Sequence, residues 1–229
     1  GQADVDPDWL GYYGESLGGI RASHVLALSE RLKVGMIAVG GARLGTIIEE
    51  GADFGIIRVF MEEVLGGADA AARFYPVMQA AVDPGDPVMF APRVLSRRLV
   101  DGPPPHVLLT AAVGDFSVPN EASADLCRSL GIPMLGDDWI GVGLATGLEG
   151  PVVQGNLPGG TTGAFFQYDR ITNDDGTVVR ANHGNVPYSP ESVFQLERFL
   201  TTWLEGGAPE ILDPYDALGT PALSEMPPG

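Results

Sequence analysis

Apolar positions along the chain follow two rhythms, and their alternation predicts most of the fold. Trp9 to Tyr13 is a short, mostly apolar run that stops at the turn Gly14-Glu15-Ser16-Leu17-Gly18. Ile20, Val25, Leu28 and Leu32 then recur near helical spacing, which predicts a helix with one apolar stripe. Val34 to Val39 is a second apolar run, punctuated by Gly40-Gly41. Such runs read as strands covered on both faces, and strand, turn, helix, strand is the unit of a parallel sheet.

From Leu44 to Leu99 the pattern becomes helical and strongly apolar. Ile47, Ile48, Phe54, Ile56, Ile57, Phe60, Met61, Val64 and Leu65 are followed by Phe74, Tyr75 and Met78. Gly66-Gly67 and Asp83-Pro84-Gly85-Asp86-Pro87 divide this stretch, and Asp101-Gly102-Pro103-Pro104-Pro105 closes it. Residues 44–100 are therefore expected to form a helical cap inserted into a domain spanning 1–204. Its apolar side chains suit an acyl-binding wall and an ordinary core equally well.

His106 to Ala112 predicts a buried strand, and a helix around Glu121 to Leu130 leads to Ile132-Pro133-Met134-Leu135. Ala164 to Tyr168 is another strand, Asn173-Asp174-Asp175-Gly176 a hairpin turn, and Pro190 to Leu204 the last helix. Residues 205–229, rich in proline and glycine, are expected to be a tail over the surface. No internal repeat is found.

Composition narrows the partners. The 229 residues are 45% hydrophobic and 19% charged, the profile of a globular domain with a sizeable core. Thirty acidic residues face 13 basic ones, of which Lys33 is the single lysine, for a formal charge of −17. Nucleic acid and anionic membranes are poor partners for such a surface. No apolar run approaches the roughly 20 residues of a membrane span. Gly1 to Pro7 lacks the basic and apolar regions of a signal peptide. Cys127 stands alone, so no intrachain disulfide is expected, and a small buried apolar role fits its place on the 121–130 helix.

Gly14-Glu15-Ser16-Leu17-Gly18 fits the nucleophile elbow G-x-S-x-G. A serine on a tight strand-to-helix turn projects its hydroxyl above the sheet, and the flanking glycines remove Cβ atoms that would clash with neighbouring backbone. The Leu17 N–H, at the helix N-terminus, then points to where an oxyanion forms. The five-residue pattern alone is weak in so glycine-rich a chain; the strand before it and the helix after it strengthen it.

Asp115 follows the 106–112 strand at its carboxyl end, where sites assemble in open parallel sheets, and is the expected acid. Asp137 and Asp138 are its rivals, but follow no comparable strand. His24 lies inside a helix and His106 begins a strand at the end away from the site. His183, in the loop Ala181-Asn182-His183-Gly184-Asn185, is the expected base. The order Ser16, Asp115, His183 is that of α/β-hydrolases.

Metal chemistry is not expected, with scattered histidines and no H-E-x-x-H. Turn formation and capping account for Asp83/Asp86 and Asp174/Asp175 more simply than a hard cation does. Gly143 to Gly150 does not fit G-x-G-x-x-G, and no cofactor is implied.

The sequence resembles bacterial extracellular lipases and esterases of the virulence-factor type, within the α/β-hydrolase superfamily. Tyr13 to Gly19, Asp83 to Pro87, Gly114 to Asn120 and His183-Gly184 carry the resemblance across most of residues 8–204. It implies hydrolysis of an ester or lipid through an acyl-enzyme, with Ser16 as nucleophile and His183 as acid and base, in a secreted, cell-surface or periplasmic protein. Thioester or amide cleavage on the same triad, and a non-catalytic subunit that keeps the elbow as structure, remain alternatives. One departure matters: the elbow comes at residue 16, where the family has several strands and a second oxyanion donor before it. The chain thus reads as the C-terminal part of the fold, with an N-terminal complementary polypeptide expected to complete the sheet.

Overall fold

The computed structural model describes Asp6 and residues 8–223; the remainder of the Gly1–Pro7 segment and residues 224–229 lie outside the described residues. A six-stranded sheet organises the molecule. Strand β1 (Leu10–Glu15) enters helix α1 (Leu17–Leu28) and returns as β2 (Leu32–Ala38), parallel to β1. Six helices follow: α2 (Leu44–Glu50), α3 (Gly55–Leu65), α4 (Ala68–Val82), and the short α5 (Pro87–Phe90) and α6 (Pro92–Leu95), then, beyond β3 (His106–Ala112), α7 (Asn120–Leu130). Strands β4 (Met134–Leu135), β5 (Gly147–Leu148), β6 (Val152–Val153) and β7 (Gly163–Tyr168) precede the hairpin β8 (Arg170–Thr172) and β9 (Val178–Arg180). Helix α8 (Pro190–Leu204), β10 (Ile211–Leu212) and α9 (Pro214–Leu218) complete the order. The sheet runs β1-β2-β3-β7-β4-β5, with every pair parallel.

Alternation along the central strands fills two cores. In β3, Val107, Leu109 and Ala111 face the layer that holds α1, α5, α6 and α7, packing with Leu26, Ala91, Val94 and Leu126. Leu108 and Ala112 face the other layer, with Phe166, Tyr168, Phe199 and Trp203. Successive side chains of a strand point to opposite faces, so a strand covered on both sides reads as an unbroken apolar run. At Gly35 a Cβ would lie 2.5 Å from Leu26 Cδ1; the missing side chain lets α1 sit close on the sheet. A parallel sheet with helices on both faces, three consecutive strands β1-β2-β3 and a strand-to-helix elbow after β1 is the α/β-hydrolase architecture.

The 44–100 stretch is helical, as its pattern predicts. It is not one layer, however. α5 and α6 bury Ala91 and Val94 in the main core, whereas α3 has no buried residue and exposes Ile56, Val59, Phe60 and Val64. The 205–229 stretch differs from expectation over its described part. β10 pairs antiparallel with β6, and Ile211, Leu212 and Tyr215 are buried, so this part of the chain closes the second core instead of lying over the surface. Burial of those side chains outweighs the proline- and glycine-rich composition around them. No helix among the described residues is long and apolar enough to cross a membrane.

Candidate active site

Ser16 occupies the turn between β1 and α1 with φ 53° and ψ −114°, a setting that non-glycine residues seldom adopt. Its N–H donates to Ala38 O at 3.0 Å and its carbonyl accepts from the Ile20 N–H at 2.9 Å, so strand and helix both grip the strained residue. The elbow glycines divide the work unevenly. A Cβ on Gly14 would lie 2.5 Å from Gly18 O, as the clash argument requires. At Gly18 the nearest atom is the Tyr12 hydroxyl at 3.8 Å, an ordinary contact. The second tight position is Gly19, whose Cβ would meet Gly40 Cα at 2.8 Å. Beneath the turn, Tyr12 donates its hydroxyl to Gly18 O at 2.7 Å.

Three elements bring the predicted side chains together at the carboxyl ends of the strands. His183 Nε2 lies 2.8 Å from Ser16 Oγ, and His183 Nδ1 lies 2.8 Å from Asp115 Oδ2. Asp115, in the turn after β3, has no exposed side-chain surface. Its other oxygen accepts the N–H groups of Ser117 and Val118, both at 2.9 Å, so the carboxylate is held by the backbone as well as by the histidine. The hydrogen bond from Asp115 raises the pKa of His183 above the ordinary imidazole value; partial burial opposes this, and the negative charges of Asp115, Asp53 and Glu15 add to it. Leu17 is the first residue of α1, and its N–H is among those that a helix leaves without an internal partner.

The competing residues are occupied elsewhere. His24 stacks on Phe90 at 4.3 Å and its Nε2 bonds Gly85 O at 3.0 Å. His106 Nδ1 accepts the Thr162 N–H at 2.8 Å, and burial lowers its pKa, which suits a neutral ring. Asp138 accepts from Val142 N–H at 2.9 Å and from the Gln167 amide at 3.3 Å, and Asp137 lines a cleft with Trp139 and Arg170. Asp86 is fully buried and caps two helices, accepting from Arg43, Leu44 and Val88 N–H groups and from Gln79. That role matches the capping expectation. Its long-range half, across 43 residues to Arg43, leaves no local sequence signal.

Asp53 escaped the sequence reading. It sits in the turn before α3, where the Ala52 N–H donates to Phe116 O at 2.6 Å, close enough to act electrostatically on His183. No spacing rule marks it, because the segment before α3 reaches the site through tertiary contacts such as this one and the packing of Phe54 against the cluster that holds Val118.

No protein-family model matches the chain, and no curated protein matches it in sequence. Among solved structures, it is similar to the uncomplexed acylaminoacyl peptidase of Pyrococcus horikoshii, with 14% identity and a TM-score of 0.48 over 90% of this chain and 25% of that one. An orthorhombic crystal form of the same peptidase gives 13% identity and a TM-score of 0.47 over 88% of this chain and 24% of that one. An acylaminoacyl peptidase in complex with Z-Gly-Gly-Phe-chloromethyl ketone gives 14% and 0.48 over 90% and 25%. The chain thus spans about a quarter of the length of these proteins. The fold assignment rests on strand order and the elbow.

Proposed function

We propose that the protein is a serine carboxylic-ester hydrolase that cleaves hydrophobic acyl esters through an acyl-enzyme. The continuous hydrogen-bonded chain from Ser16 Oγ through His183 to the buried Asp115 carries this reading. Ser16 Oγ attacks the ester carbonyl as Nε2 takes its proton, and the Leu17 N–H faces the developing oxyanion. Collapse of the tetrahedral adduct breaks the bond to the alcohol, which leaves with the proton from His183. Water, deprotonated by the same ring, then attacks the acyl-serine and releases the acid. Asp115 holds the tautomer and stabilises the imidazolium throughout.

Preference for apolar acyl groups is supported by exposed Leu17 and Phe116 beside the triad and by the unburied apolar face of α3. Thioesters and amides share the same chemistry, and the substrate series below separates them from esters. A further polypeptide segment beside β1 would complete the sheet and supply the second oxyanion donor. A secreted, cell-surface or periplasmic location belongs to the same proposal.

A fluorophosphonate probe should label Ser16, and Ser16→Ala should abolish labelling and lower kcat on the order of 10⁶-fold. p-Nitrophenyl esters should be cleaved faster with medium or long acyl chains than with acetate, and faster than the matching thioesters or anilides. Equal labelling of Ser16→Ala would remove the triad and favour a non-catalytic subunit; a sharp optimum at acetate would remove the acyl-wall role of α3.

A further inference from the structure

The loop that carries His183 is stiff in itself. Asn182 Oδ1 accepts the N–H groups of Gly184 and Asn185 at 2.9 and 3.1 Å, the Asn182 N–H donates to Asn185 Oδ1 at 2.7 Å, and the Asn185 amide donates to Arg180 O at 3.0 Å. Val186 and Pro187 anchor its far end in the core. A loop braced this way moves as one body; Asp115 holds the far nitrogen of the ring at 2.8 Å, and the loop's bonds to the elbow set how close Nε2 sits to Ser16. One of them is the His183–Ser16 bond, which chemistry dissolves: an acylated serine has no hydroxyl hydrogen to share. The other is distant in sequence and close in space. Tyr188 places its hydroxyl 3.0 Å from both carboxylate oxygens of Glu15, the residue before the nucleophile, across 173 positions.

We propose that Tyr188 and Glu15 form a clamp that holds the histidine loop against the nucleophile elbow through the acyl-enzyme stage, making both positioning residues. The proposal rests on the triad reading above. Tyr188 is 72% exposed, so its ring has little packing role and the hydroxyl is what remains to explain. The neighbouring Glu15 carboxylate raises the phenol's pKa, which keeps it a donor at working pH. Glu15 acts on His183 as well. The charged and titratable groups facing that ring are Asp115, Asp53 and Glu15, and Tyr13 lies near the Glu15–Tyr188 pair. Glu15 therefore contributes a tether and a charge, which separate variants can resolve.

Tyr188→Phe should lower kcat about three- to tenfold, the scale of one surface hydrogen bond, with KM and thermal midpoint nearly unchanged. Its kcat/KM should rise with pH through the same acidic limb as wild type. Glu15→Gln keeps an acceptor for the phenol but loses the charge; it should retain most of kcat and move that limb to lower pH. Glu15→Ala should lose kcat as Tyr188→Phe does, and the double variant should be no worse than either alone. Wild-type kcat in both Tyr188→Phe and Glu15→Ala, or losses that multiply, would overturn the clamp. Ser16→Ala keeps the two questions apart: its continued labelling sinks the triad itself, whereas a clamp that fails while Ser16→Ala is silent leaves the triad standing.

Discussion

Backbone strain at Ser16 is a cost the site must carry, since φ 53° and ψ −114° are expensive for any residue with a Cβ. Such settings cost about 1–3 kcal/mol, and glycine escapes most of that while adding up to about 1 kcal/mol of unfolded-state entropy. Ser16→Gly should therefore fold more stably than Ser16→Ala, by about 1 kcal/mol, while both are inactive. For a chain of this size that is a thermal midpoint higher by about 2–4 °C. A Ser16→Ala protein as stable as Ser16→Gly would mean that the elbow is relaxed in solution. That Ser16, Asp115 and His183 meet was legible in sequence because each occupies a locally marked place: a turn between strand and helix, the end of an apolar strand, a loop between Asn and Gly. Glu15 and Tyr188 were not. Their meeting depends on two elements at opposite ends of the chain, and neither carries a motif of its own. Gly19 was hidden for the same reason, because its close neighbour, Gly40, comes from the following strand connection.

At the level of elements, the start of α8 ties three parts of the chain together. Glu191, fully buried in the first turn, accepts from the Thr172 N–H at 3.0 Å and from the hydroxyls of Thr172 and Thr220 at 2.5 and 2.9 Å. Burial pushes its pKa up, yet the hydrogen bonds from Thr172 and Thr220 overcome that and hold it below the ordinary glutamate value. A depressed folded-state pKa means stability that is present at neutral pH and lost as pH falls through that pKa. Glu191→Gln should cost about 1–3 kcal/mol near pH 7, since an amide turns a donor toward groups that need an acceptor. The gap in urea midpoint between wild type and variant should narrow in acid; a constant or widening gap would count against this role. The Thr220 bond helps tie the described part of the 205–229 stretch to α8. The main strands and α8 were legible because long apolar runs and helical periodicity dominate their local sequence. β10 is two residues long, too short for any period to register. Asp213-Pro214 did hold a signal, a capping residue followed by proline, and Asp213 Oδ1 does accept the Tyr215 N–H at 2.8 Å.

Across the whole molecule, the two edges of the sheet are unequal. The β5 edge is a pair of residues, short enough to be harmless, whereas β1 is six residues long and, among the described residues, pairs on one side only with β2. Tyr13 within it and Trp9 just before it stay 45% and 40% exposed, and Leu17, the first residue of α1, is 69% exposed. A long, apolar, unprotected edge invites further pairing, and natural sheets cover, charge or shorten such edges. A strand laid along β1 beside Ser16 would stand where a second N–H can face the oxyanion of the proposed reaction. Loss of one oxyanion donor costs roughly 10²–10³ in rate. Residues 1–229 produced alone should thus label slowly with fluorophosphonate, and hydrogen exchange should find the β1 amides less protected than those of β2 and β3. Protein in which a further strand lies beside β1 should gain both protection and labelling rate together. A monomer of 1–229 that is soluble, fully active and protected along β1 would end this reading, and would require the second donor to come from within these residues.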